Sequence, residues 1–212
     1  MPESAVNNPL FARLFDRCFG KDKGRGEDAL RRELLSGLSG RVVEVGPGNG
    51  INFEHYPATV EELVAVEPEP YLRGRAEETA RSVGLAVRVL DGTAAALPLP
   101  DDAADALVVA GVLCSVADPP AALAEFRRVL RPGGELRFYE HVRSRRPGFA
   151  RYQDAVALAW PQVMGGCMPN RDTLAALERG GFRIERCHGF GFPADARAYP
   201  VVPRVLGVAR AG

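Results

Sequence analysis

The sequence has no surplus of charge of either sign. Its 212 residues carry 27 Lys plus Arg against 27 Asp plus Glu, a formal net charge of zero. Nothing in that balance draws the chain toward a nucleic-acid backbone or an anionic membrane, so neither is expected as a partner. Cysteine is scarce as well: Cys18, Cys114, Cys167 and Cys187. None forms a C-x-x-C pair, and no Cys/His grouping has zinc spacing. Spacing alone therefore predicts no metal, and the thiols read as free in a reducing compartment. Residues 1–19 hold no long apolar run, which a signal peptide or membrane span would need. The expected location is the cytoplasm. Repeats and low-complexity tracts are also missing. The length and the 46% hydrophobic content suit one domain with a sizeable core.

What is present is a regular alternation. Strands are expected at 41–45 (RVVEV), 63–66 (LVAV), 86–90 (AVRVL), 106–110 (ALVVA) and 135–139 (ELRFY). Helices are expected at 27–38, 71–83 and 119–130, and RPGG at 131–134 turns the chain into the fifth strand. Such alternation implies a parallel sheet covered on both faces. Before it, Phe11, Leu14 and Phe15 give a short helix after Pro9 one apolar face, and 21–27 (KDKGRGE) reads as a charged loop. After it, a helix at 173–180 ends in Gly180-Gly181. Strands at 182–190 and 202–209 follow with no helix between them, which predicts an antiparallel pair at one sheet edge. The fold class is α/β, doubly wound, with a mostly parallel seven-stranded sheet.

The first strand runs into Val45-Gly46-Pro47-Gly48-Asn49-Gly50. Glycines let the backbone turn sharply and let a ligand approach where a Cβ would collide. The spacing is G-x-G-x-G, and Ile51 stands where a dinucleotide fingerprint has its third glycine. Glu67, followed by Pro68, ends the second strand, where a carboxylate can accept from both ribose hydroxyls. Asp91, Gly92 and Thr93 follow the third strand, where an acid can accept from an adenine amino group. The loop has no Lys or Arg for a pyrophosphate. A nucleoside without phosphates fits this set better than a dinucleotide.

In this order and spacing, VVEVGPGNG, VAVEPEP, LDGTAAALPLP and RRVLRPGGELRFYEHV resemble the pattern of the class I methyltransferases, whose fold is Rossmann-like. A closer resemblance is to the methyltransferase-like 7 group, the thiol methyltransferases. It rests on EVGPGNGINFEHYP (44–57), VLCSV (112–116), EHV (140–142), Trp160, Gly165, Gly166, Cys167 and Arg171, and the ending RVLGVA. The resemblance implies S-adenosylmethionine as methyl donor and a small-molecule acceptor, a thiol first. Methylation of oxygen or nitrogen, or a donor-binding scaffold without transfer, are the alternatives. It implies a donor site of Glu44, Gly46, Pro47, Gly48, Asn49, Gly50, Asn52, Glu67, Pro68, Asp91, Gly92, Thr93, Ala110, Gly111 and Cys114. It also divides a single domain, 1–212, into an N-terminal helical segment (1–40), a donor-binding half (41–142), a helical acceptor cover (143–180) and a C-terminal strand pair (181–212). Two departures stand out: animal members carry an N-terminal membrane anchor, unlike residues 1–19, and Met168-Pro169 follows Cys167 where the family often has His or Asn.

On the acceptor side, His141 follows the fifth strand at the carboxyl edge of the sheet. It fits either a general base or a residue that caps the strand end. Cys114 follows the fourth strand and also reads as an inert buried thiol. His55 and Tyr56 fall on or after the helix expected behind the glycine loop, either packed or touching substrate. Arg143, Arg145 and Arg146 read as a solvated run or as a grip on an anionic acceptor. Trp160, Phe149, Tyr152 and Met164 can wall an apolar pocket or form the core of the cover.

Overall fold

A computed structural model of the chain describes residues 8–19, 27–83, 86–193 and 198–212. The elements in chain order are α1 (Pro9–Phe19), α2 (Glu27–Leu35), β1 (Gly40–Val45), β2 (Val60–Val66), α3 (Pro70–Val83), β3 (Val87–Leu90), β4 (Ala104–Ala110), α4 (Pro119–Val129), β5 (Leu130–His141), α5 (Pro147–Val156), the short α6 (Trp160–Val163), α7 (Thr173–Arg179), β6 (Phe182–Gly191) and β7 (Pro203–Ala211). Apart from Glu27, the charged loop expected at 21–27 lies outside the described residues.

The strands form one seven-stranded sheet in the order β3-β2-β1-β4-β5-β7-β6. The first five run parallel, and β7 pairs antiparallel with both β5 and β6. The antiparallel C-terminal pair expected from the sequence is therefore present at one edge. Strand order reverses between β1 and β4, so the carboxyl ends of these two strands border a crevice of the kind where ligands bind in open α/β sheets.

The central strands are apolar on both faces because helices cover both. On one face Val43, Val64, Leu107, Leu136 and Phe138 pack with Phe126 of α4 and Leu177 of α7. On the other, Val42, Leu63, Ala106 and Val108 pack with Leu34 and Leu35 of α2 and Ala76 of α3. Asp118 caps α4 by accepting from Ala121 N at 3.0 Å, and Pro119 and Pro120 occupy the first turn, where no intrahelical N–H is needed.

Three expectations shift. The helix expected over 27–38 stops at Leu35, and Gly37 follows in the left-handed region at φ 76°. The segment after the glycine loop is a 3-10 turn, Phe53–His55, and not an α-helix. The RPGG stretch joins β5 itself, with Gly133 at φ 79° and a register irregularity opposite Ala104–Ala106 of β4.

Candidate functional site

The glycine loop is fixed from below. Gly46, Gly48 and Gly50 all have positive φ, between 59° and 79°. A Cβ on Gly46 would stand 2.6 Å from Val112 Cγ2, so that position admits no larger residue. Gly46 N donates to Val66 O at 2.9 Å, and Pro47 O accepts from Gly50 N at 3.0 Å. Glu67, only 5% exposed, accepts from Gly48 N through Oε2 and from Glu69 N through Oε1, both at 3.0 Å. Its burial outweighs these bonds and pushes the carboxyl up to about 7. Each carboxylate oxygen keeps a lone pair beyond its amide bond. Asn49 is also buried, and its Oδ1 has no hydrogen-bond partner in the protein.

Glu44 and Asn52 are buried and bond to each other. Strand alternation turns Glu44 to the same face as Val42, toward α2. Its carboxylate accepts from Asn52 Nδ2 at 2.6 Å and from the Tyr56 hydroxyl at 2.9 Å. Arg31 of α2 donates to Asn52 Oδ1 at 2.7 Å. Burial raises the Glu44 carboxyl to about 7. The buried network engages the polar groups of both residues. Tyr56 packs and bonds in the same network, and burial depresses the His55 pKa.

At the next strand ends, Arg73 NH1 donates to Glu67 O (2.9 Å), Pro68 O (3.1 Å) and Asp91 Oδ1 (3.0 Å), tying β2 to β3. The Asp91 carboxylate is exposed. Gly92 is closely packed: a Cβ there would approach Pro98 Cδ at 2.7 Å. Thr93 forms an isolated bridge with Ala96 just beyond.

Across the crevice, β4 ends at Ala110, and Gly111 follows at φ 71° with nothing within 4 Å of its absent Cβ. Glu140, 1% exposed, accepts from Val112 N at 2.8 Å, Leu113 N at 3.0 Å and Cys114 N at 3.2 Å. Burial raises its pKa, and the amide bonds oppose the rise. Arg171 NH1 holds the same turn through Leu113 O at 2.6 Å and Val116 O at 2.7 Å. Cys114 O accepts from Met168 N at 2.9 Å, and His141 O accepts from Thr173 Oγ1 at 3.2 Å.

These clamps bring together Cys114, His141 and Cys167. His141 Nδ1 lies 3.6 Å from each sulfur, and the two sulfurs are 3.6 Å apart. The hydrogen bond with Cys114 lowers the Cys167 pKa, while that bond and burial raise Cys114. Trp160, Met164 and Tyr199 pack against the cluster. Sequence spacing missed this grouping because 53 residues separate the two cysteines. Of the expected wall, Trp160 and Met164 line the cluster, whereas Phe149 and Tyr152 pair edge to face with each other at 5.4 Å. Arg143 forms a two-pronged ion pair with Asp154.

Helix α1 lies across the site. A Cβ on Gly48 would stand 2.9 Å from the Phe15 ring, and one on Gly165 would overlap Phe11. Asp16 accepts from Asn49 Nδ2 at 3.1 Å, the Tyr71 hydroxyl at 3.0 Å and Arg75 Nε at 3.0 Å. Two surface depressions lie elsewhere. One sits at the amino edge of the sheet beside Arg41, Asp105 and Arg131, and one behind the glycine loop beside Asp16, Arg75 and Thr79. Neither contains Glu67, Gly111 or His141, and the convergence of polar groups at the carboxyl edge marks the site instead.

A methyltransferase domain family model matches residues 43–138. The human thiol S-methyltransferase TMT1B is 33% identical over 202 residues, covering 87% of this chain and 80% of that protein. Human thiol S-methyltransferase TMT1A is 32% identical, covering 72% and 67%. Among solved structures, a putative methyltransferase from Bacillus halodurans superposes with a TM-score of 0.73 at 16% identity, covering 87% of this chain and 98% of that one. The [4+2]-cyclase SpnF superposes at 0.70 with 22% identity, covering 88% and 80%. Among the described residues, no helix is long and apolar enough to cross a membrane. With a glycine loop braced by a buried strand-end carboxylate and this strand order, the chain belongs to the class I S-adenosylmethionine-dependent methyltransferases, near the thiol S-methyltransferase group.

Proposed function

We propose that the chain transfers the methyl group of S-adenosylmethionine to the sulfur of a small-molecule thiol. The observation that carries this reading is the pairing of two features at one sheet edge. A glycine loop braced by the buried Glu67 carboxylate lies at the ends of β1 and β2, and an imidazole flanked by two thiols lies at the ends of β4 and β5. The names of the two human relatives support sulfur as the attacked atom.

The residues present fit the donor. Glu67 keeps free lone pairs for a diol, the buried Asn49 Oδ1 lacks a partner, and the space at Gly111 is open. Gly46, Pro47, Gly48, Asn49 and Gly50 would supply backbone to it, Glu67 and Pro68 its ribose contact, and Asp91, Gly92 and Thr93 its adenine contact. Ala110, Gly111 and Cys114 would border its amino-acid end. When bound, S-adenosylmethionine supplies a methyl group on a positively charged sulfur.

The chain's own groups do the rest. Glu140 and Arg171 hold the turn at 112–116 rigid, so the acceptor meets a fixed wall. Trp160, Met164 and Tyr199 keep water from the reacting sulfur. A free thiol ionises with a pKa of about 8.5, so a strong base is not required, and His141 lowers the remaining cost of forming the thiolate.

A parallel assay of an alkyl thiol, a phenol and a primary amine with the purified protein tests the acceptor. Methylation of the thiol alone supports the reading. Methylation of the phenol or amine without the thiol overturns it, and donor binding without any transfer overturns the enzymatic reading as a whole.

A further inference from the structure

The three edges of the Cys114–His141–Cys167 triangle are all 3.6 Å. A tetrahedral ion with Zn–S of about 2.3 Å and Zn–N of about 2.0–2.1 Å places its sulfur and nitrogen ligands about 3.5–3.8 Å apart. The triangle thus has the dimensions of one face of such a tetrahedron. Each corner is fixed by contacts that need no ion. Glu140 and Arg171 hold the Cys114 turn, and Met168 N ties the Cys167 segment to Cys114 O. His141 is paired with Arg204 on β7, and its carbonyl is held by Thr173.

The chemistry of the set is selective. Two thiolates and an imidazole suit zinc and similar thiophilic ions, and do not suit calcium or magnesium, which take oxygen ligands. Two thiolates also cancel the charge of a divalent cation, which lets the site stay buried. Cys114 is 1% and Cys167 7% exposed. The Trp160 side chain packs against the two cysteines. Among the described residues, the group offers three ligands and no fourth. Three protein ligands with one position open is the arrangement of catalytic zinc, including two cysteines with one histidine.

We propose that Cys114, Cys167 and His141 bind one thiophilic divalent cation, zinc by preference, through two thiolates and Nδ1, and that its fourth position takes the sulfur of the acceptor. The second half rests on the thiol reading above; the first does not. Coordination displaces the acceptor's S–H proton to solvent and leaves a thiolate bound to the ion. That sulfur's electron pair forms the new bond to the methyl carbon. The bond from this carbon to the donor sulfur breaks, and its pair stays on the donor, which leaves as a neutral thioether. The methylated acceptor is also a thioether, a weaker ligand than a thiolate, and departs.

The test uses the full chain, reduced with a phosphine and stripped with a chelator. Zinc is titrated against a chromophoric competitor, and cobalt(II) is added to a second sample for its visible spectrum. The expected result is one ion per chain, with tetrahedral cobalt bands and sulfur-to-cobalt charge transfer. Cys114→Ser and Cys167→Ser should each lower affinity at least about tenfold and remove part of the charge transfer. Cys187→Ser, at an exposed thiol, should leave both intact. Should the buried serine variants fail to fold, the wild-type stoichiometry and spectrum decide alone. Weak, non-stoichiometric binding, or a cobalt spectrum without charge transfer, overturns the site. Adding a small alkyl thiol to the cobalt form should strengthen the charge transfer, and no change overturns the fourth-position claim. Thiol methylation and donor binding are measured on the same samples. Equal thiol turnover with and without zinc overturns the ion's role and leaves the thiol reading standing. Stoichiometric zinc with no thiol turnover overturns the thiol reading and leaves the site standing.

Discussion

Glu67 is the residue proposed to hold the donor ribose. Two amide bonds hold its carboxylate in place, and burial still raises its pKa to about 7. Replacing it with alanine removes charge-assisted hydrogen bonds worth about 1.5–3 kcal/mol. Donor affinity measured by calorimetry should fall roughly ten- to a hundredfold, and an unchanged dissociation constant in a folded variant refutes the assignment. On the acceptor side, His141→Ala should slow thiol methylation at pH 7 by about ten- to a hundredfold. With the chain kept free of metal, raising the pH toward the thiol's own pKa of about 8.5 should restore much of the rate. A loss that persists at high pH would show a role in holding the site together and not in forming the thiolate. At this scale the sequence was only partly legible. The tight turn at Gly46, Gly48 and Gly50 and the strand-end place of Glu67 could be read from their letters, because loop glycines and a strand-end acid take much the same places in any fold of this class. The buried bond between Glu44 and Asn52 could not, because adjacency to the loop does not say which face of the sheet a side chain takes. The alternation with Val42 is the signal that would have shown it.

Elements were the most legible level where hydrophobic runs were continuous. The five parallel strands and the antiparallel pair follow from β-branched segments and from the presence or absence of a helix between them. The segment 143–180 was harder to read, since its placement depends on long-range clamps such as Arg171 to Leu113 O, which leave no local pattern. The placement of α1 over the glycine loop was likewise invisible. Its apolar residues foretold a helix, but not that Phe15 would face Gly48 or that Asp16 would bind three partners. Asp16→Ala should free this helix. Amide exchange in α1 should then accelerate while the exchange of β1 and β4 stays unchanged. Equal protection of α1 in variant and wild type would show that the Phe11 and Phe15 contacts hold it without Asp16.

Across the whole molecule, the buried acids link stability to pH. Glu44 and Glu67 each titrate near 7 in the folded chain, against 4.5 for an unperturbed carboxyl. Between those values the folded state holds more protons than the unfolded one. Their contribution is therefore fully present below about pH 4.5 and is lost as the pH rises through 7, a cost of about 3 kcal/mol for each group. The donor-free protein should lose melting temperature between pH 5 and about 7.5. Glu67→Gln should show a shallower fall, and an identical slope would remove Glu67 from the account.

The fold places these groups at the one edge where the strand order reverses, and the claim that follows is a methyl transfer to sulfur. The most direct measurement is a single-turnover reaction of the purified chain with S-adenosylmethionine carrying a deuterated methyl group and a small alkyl thiol, followed by mass spectrometry. One labelled methyl thioether is expected for each S-adenosylhomocysteine formed. Label found on an oxygen or nitrogen competitor in the same mixture, or bound donor that remains unconsumed, would contradict it.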